Sequence, residues 1–95
     1  MPETSLMIYD RLSDECRDIF RRKNADYGDS FREDGVLGVM IRLKDKLNRA
    51  ISLCRKEGEA ALVQDESLRD TLMDASNYGK MGVICLESIT EQREA

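Results

Sequence analysis

Two segments carry charged side chains at helical spacing, and their chemistry is complementary. Arg42, Asp45, Lys46 and Arg49 recur in one, and Glu66, Asp70, Asp74 and Asn77 recur in the next. Residues three and four apart share a helix face, so each set forms a row. A row of carboxylates opposite a row of cations can hold a divalent metal together with phosphate, which is the chemistry a nucleotide needs. The arginines matter because a guanidinium binds phosphate oxygens in bidentate fashion. Each row also has an ordinary reading. Arg42 with Asp45 and Asp45 with Arg49 are spaced like any solvated, ion-paired face. Glu66, in a first helical turn, would satisfy the helix dipole, but Asp74 lies more than two turns in and has no such explanation.

A third segment, Lys23-Asn24-Ala25-Asp26-Tyr27-Gly28-Asp29-Ser30-Phe31, adds what the rows lack. Tyr27 or Phe31 could stack on a base. Lys23, Asn24 and Ser30 could contact phosphate or sugar. Gly28 marks a positive φ or a close backbone approach. The competing reading is a helix C-terminal cap with its hydrophobic anchor.

Three main helices must position these residues. The first is expected over residues 5–23, because Ile8, Leu12, Cys16, Ile19 and Phe20 follow the helical period. Residues 24–35 break that period with Gly28, Gly35 and the turn formers Asn24, Asp26, Asp29 and Asp34, and are read as a loop. The second helix is expected over residues 36–56, with Met40, Leu43, Leu47, Ala50, Ile51 and Cys54 as its core stripe and Gly58 as its stop. After a linker at 59–64, the third helix is expected over residues 65–90, capped by Asp65. Its core stripe is Leu68, Leu72, Ala75, Gly79, Gly82, Val83 and Leu86, and the two glycines point to a close backbone approach. Beyond Asn77 the opposite face turns apolar as well, with Met81, Ile84 and Cys85. A helix apolar on nearly all sides is buried on nearly all sides, so the acidic row extends from a cleft or an interface.

Composition agrees with an all-α fold in one helical domain spanning residues 1–95. Charged residues make up 36% of the 95, aromatics 5%, and there is one proline. A core of this size is marginal alone, and oligomerisation is the common remedy, so we expect an oligomeric helical bundle. The net charge of -4 argues against a nucleic-acid polymer as partner but not against a small phosphate ligand. No apolar run is long enough to span a membrane. Cys16, Cys54 and Cys85 read as buried free thiols in a reducing cytoplasm. The chain has no histidine, which removes Ser-His and Cys-His catalysis and His-ligated zinc; a metal here would be oxygen-bound, and Mg²⁺ or Mn²⁺ is the natural choice.

Taken together, Lys23-Asn24-x-Asp26-Tyr27-Gly28-x-Ser30-Phe31, Arg42-x-x-Asp45-Lys46-x-x-Arg49 and Asp65-Glu66-Ser67-Leu68-x-Asp70-Thr71-Leu72-x-Asp74-x-x-Asn77-Tyr78 resemble the first nucleotide-modification-associated domain, a small, mostly phage-encoded helical family. That family is distantly similar to the MazG-like all-α NTP pyrophosphatases. The resemblance implies helices packed as dimers or higher homo-oligomers, Mg²⁺ held by carboxylates near subunit interfaces, and, for a phage protein, the cytoplasm of an infected bacterium. MazG-like enzymes carry a dense Glu-Glu-x-x-Glu motif, whereas the second helix here offers only Asp45 amid cations.

The favoured expectation is therefore a protein that holds a phosphorylated nucleotide at a subunit interface, for instance a cyclic signal of antiviral defence. Lys23, Arg42, Lys46 and Arg49 would neutralise phosphates, Tyr27 or Phe31 would stack on the base, and Asn24, Asp74 and Asn77 would complete the ligand-binding set. The alternative is a Mg²⁺-dependent nucleoside-triphosphate pyrophosphohydrolase, with Asp45, Asp70 and Asp74 on the metal and Glu66 and Asp70 as candidate catalytic residues. A structural or partner-binding helical protein is the third reading.

Overall fold

A computed structural model describes residues 2–56 and 66–94, and among these the chain forms three helices and no strand. Helix α1 (Ser5–Tyr27) begins at Thr4, whose side chain accepts a hydrogen bond from the Met7 amide at 3.2 Å. Its apolar period lands as the spacing requires: Cys16 is buried, and Ile8, Leu12, Ile19 and Phe20 are half-buried. The helix continues a turn past Lys23, where the sequence reading ended it. Asn24 and Asp26 are tolerated in a last turn. What stops the helix is the backbone at Gly28, with φ 57°, whose N–H donates to the Asn24 carbonyl at 2.7 Å.

Only residues 28–30 separate α1 from helix α2 (Phe31–Lys56). The expected loop over 24–35 is thus mostly helix, because Glu33 and Asp34 sit in a first turn, where the dipole favours acids. Gly35 interrupts α2 with φ 72° and ψ 179°. A Cβ at Gly35 would meet nothing within 4 Å, so the position needs glycine for its conformation and not for space. Helix α3 (Glu66–Glu94) is the longest, and its end lies beyond the expected residue 90. The Gly58 stop, the 59–64 linker and the Asp65 cap fall outside the described residues.

Helices α2 and α3 pair along their lengths, and α1 lies against α3. Val39 is fully buried and forms the core with Phe31 and Cys85, surrounded by Phe20, Val36, Tyr78, Met81 and Ile84. Asn77 ties α1 down by donating to the Cys16 carbonyl at 3.0 Å, and Arg69 grips both oxygens of Glu15 at 2.7 Å.

The core stripes differ from those expected. On α2 the buried side is Val39 and Ala50, with Leu43 and Leu53 half-buried, whereas Met40, Leu47, Ile51 and Cys54 are exposed. On α3 Leu68 and Gly82 of the expected stripe are buried, and the inner side also takes in Met73, Asn77, Tyr78, Met81, Ile84 and Cys85, whereas Leu72, Val83 and Leu86 are exposed. Helices α2 and α3 thus each bury part of the expected stripe and leave the rest of it exposed. Gly82 does accommodate a close neighbour, but it is a side chain: the Met40 methyl lies 2.7 Å from where a Cβ would stand. Nothing comes near Gly79. No helix among the described residues is long and apolar enough to cross a membrane.

Candidate functional site

A cleft of about 500 Å³ opens where the three helices meet. The last turns of α1 supply Phe20, Lys23, Asn24, Asp26 and Tyr27, and the turn that follows supplies Ser30. Phe31 and Arg42 enter from α2, and Asp74, Asn77, Tyr78 and Met81 from α3. The helical register explains the convergence. Asp74, Asn77, Tyr78 and Met81 step by three and four along α3 and so share the side that faces the other two helices.

Asp74 is the electrostatic centre. One carboxylate oxygen accepts from Lys23 Nζ at 2.9 Å and the other from Lys46 Nζ at 3.3 Å, so a single side chain joins all three helices. Burial opposes ionisation of Asp74. The hydrogen bonds and charges of Lys23 and then Lys46 outweigh it and hold the carboxyl below its ordinary value. Lys23 remains largely exposed and can turn toward a ligand. Arg42, also in the wall, lies 3.6 Å from Asp34. The cleft therefore has cations on two sides and an aromatic rim: Tyr27 is 69% exposed.

The profile of the nucleotide modification associated domain 1 family matches residues 23–86. The chain belongs to that family. The matched span takes in every cleft residue of this nucleotide-modification-associated domain except Phe20, which stands just before it. Neither the curated proteins nor the solved structures contain a match to the chain.

Most of the candidate residues read from the sequence gather at this domain's cleft: Lys23, Asn24, Tyr27, Phe31, Arg42, Asp74 and Asn77 all line it. Lys46 reaches it only through Asp74, and Arg49 instead donates to the Ser67 hydroxyl at 3.0 Å, outside the wall. Phe31 is buried in the core and edge-on to Phe20, with ring centroids 6.0 Å apart, so that of the two candidate rings Tyr27 is the exposed one. Asn77 is buried and spends its amide on Cys16. Phe20, Asp26, Tyr78 and Met81 line the cleft without having been singled out. Their signal was available, since Phe20 precedes Lys23 by three residues and Met81 follows Asn77 by four.

The residues do not fit the metal set expected from the sequence. Among the described residues, no three of Asp, Glu, Cys or His are grouped as metal ligands, so Asp45, Asp70 and Asp74 do not form a carboxylate cage. The physical reason is local: Asp45 and Asp70 are exposed, and both oxygens of Asp74 are engaged by lysines. Glu66 and Asp70, the residues for a hydrolytic role, are exposed near the start of α3 and outside the cleft wall.

Proposed function

We propose that this protein binds a phosphorylated nucleotide in the cleft between its three helices and holds it intact. The observation that carries the reading is the pairing of Lys23 and Arg42 with the open ring of Tyr27 across a cleft of about 500 Å³. Ligand pockets run from roughly 300 to 1,000 Å³, so the size suits a nucleotide. Cations balance phosphate charge and an aromatic face stacks on a base, whatever its identity. Among the described residues, two carboxylates, Asp26 and Asp74, line the wall, and Asp74 is paired with lysines. Such a donor set favours retention over metal-assisted attack by water. The family's link to nucleotide modification supports the nucleotide class.

A protein that retains its ligand acts by removing it from solution or by presenting it to another protein. Removal would silence a nucleotide signal, cyclic di- and trinucleotides of antiviral defence included. Presentation would serve nucleotide modification. Equilibrium dialysis against canonical, modified and cyclic nucleotides, with and without Mg²⁺, tests the proposal. The expected result is retention of at least one phosphorylated nucleotide and not of its nucleoside. Retention of none refutes the reading.

A further inference from the structure

The cleft does not end at Phe20. A second hollow of about 350 Å³ lies between α1 and α3 and shares Phe20, Asn77 and Met81 with the cleft as a common wall. Ser13, Arg17, Phe20, Asn24 and Tyr27 step by four and three along α1, so they fall on one helix face. Ser13 and Arg17 line the second hollow, Asn24 and Tyr27 line the cleft, and Phe20 lines both. The two cavities therefore run end to end along α1 as one groove.

The second hollow repeats the chemistry of the first. Phe20, Met81 and Ile84 give it an apolar floor, and each is only half-buried, so part of each side chain stays open. Arg17 and Lys80 bring one cation from each helix. Among the described residues neither takes part in an ion pair, although Asp14 also lines the hollow. Lys80 donates instead to the Ser76 hydroxyl at 3.2 Å. Both cations are thus available to an anion. Arg17 and Lys23 stand six residues apart, which separates the two cationic ends of the groove by about 9 Å along the helix axis.

We propose that the groove takes two linked nucleotides, the first in the cleft and the second in the hollow lined by Arg17 and Lys80. The inference rests on the nucleotide reading of the cleft and extends it. Arg17 and Lys80 bind the second phosphoryl group, and Phe20, Met81 and Ile84 pack against the second base, a contact open to any base. The apolar floor selects a second base over a longer phosphate chain, which would set charge against hydrocarbon.

Isothermal titration of the full chain with terminally phosphorylated dinucleotides, nucleoside monophosphates and nucleoside triphosphates tests it. The best dinucleotide binds roughly tenfold or more tighter than its component monophosphate, one charge-assisted contact being worth about that factor, and tighter than the triphosphate. Arg17→Ala and Lys80→Ala, both at exposed positions, bring that ratio down toward one with helical circular dichroism retained. Lys23→Ala weakens monophosphate and dinucleotide alike and preserves the ratio. Dinucleotides that bind no tighter than monophosphates, or a ratio that neither variant moves, overturn the inference and leave the cleft reading standing. Triphosphates that match dinucleotides overturn it too, since charge alone would then fill the hollow. Binding of no nucleotide at all refutes the cleft reading and the inference with it.

Discussion

Replacing Asp74 by asparagine removes one charge from the junction of three helices and changes little else in volume. The cost follows from the two pairs it breaks. The Lys46 partner is only 33% exposed and Asp74 18%, so this partly buried charge-assisted bond is worth about 1–2 kcal/mol. The Lys23 partner is 61% exposed, and solvent screening limits that bond to about 0.5 kcal/mol. The sum is about 2 kcal/mol at neutral pH, which for a domain of this size corresponds to a fall in Tm of about 8–16 °C. The pH dependence has a defined sign. The folded carboxyl titrates below its ordinary value, so its stabilisation is fully present above the ordinary carboxyl range of the unfolded chain and is lost as pH falls through the folded value. Thermal melts of both proteins followed by circular dichroism, from pH 7 down to about pH 2, therefore show a gap that narrows in acid. An unchanged Tm at pH 7, or a gap that stays constant into acid, refutes the account of Asp74 as the ionised pin between helices.

Lys23→Ala weakens binding of any retained nucleotide by roughly tenfold or more, the worth of one charge-assisted contact, with weaker loss at high salt; isothermal titration at two salt concentrations reads this. Tyr27→Ala costs about 1–3 kcal/mol of nucleotide binding but leaves the Tm nearly unchanged, since the ring is mostly exposed, whereas Tyr27→Phe retains both. Val39→Ala costs about 2 kcal/mol of stability in urea titration, because the side chain is fully buried at the centre of the core.

The cleft was legible in the sequence because its residues obey helical spacing on segments that must pack together. Lys23, Arg42 and Asp74 come from three segments, and Arg42 and Asp74 each recur with further polar residues at helical spacing. The choice of core stripe was not legible. Leu47 and Val39 are equally apolar, and α2 presents both at helical period. Nothing in the sequence of one chain says which stripe its own α3 will cover and which stays bare. The segment at 24–35 misled for a different reason. Asn24, Asp26 and Asp34 are turn formers, but helix termini use the same residues, and the positive φ at Gly28, Asp29 and Gly35 is what breaks the helices. Periodicity places Asp70 and Asp74 on one helix face without revealing that two lysines from other helices pair with Asp74.

The central claim is that a nucleotide is held and not cut. It is tested most directly by incubating the protein with a nucleotide panel and Mg²⁺, removing the unbound fraction, heat-denaturing the protein and identifying the released small molecule by mass spectrometry. The account predicts that the depleted nucleotide is recovered intact and in stoichiometric amount. Recovery of a monophosphate with pyrophosphate, or depletion of no nucleotide, contradicts it.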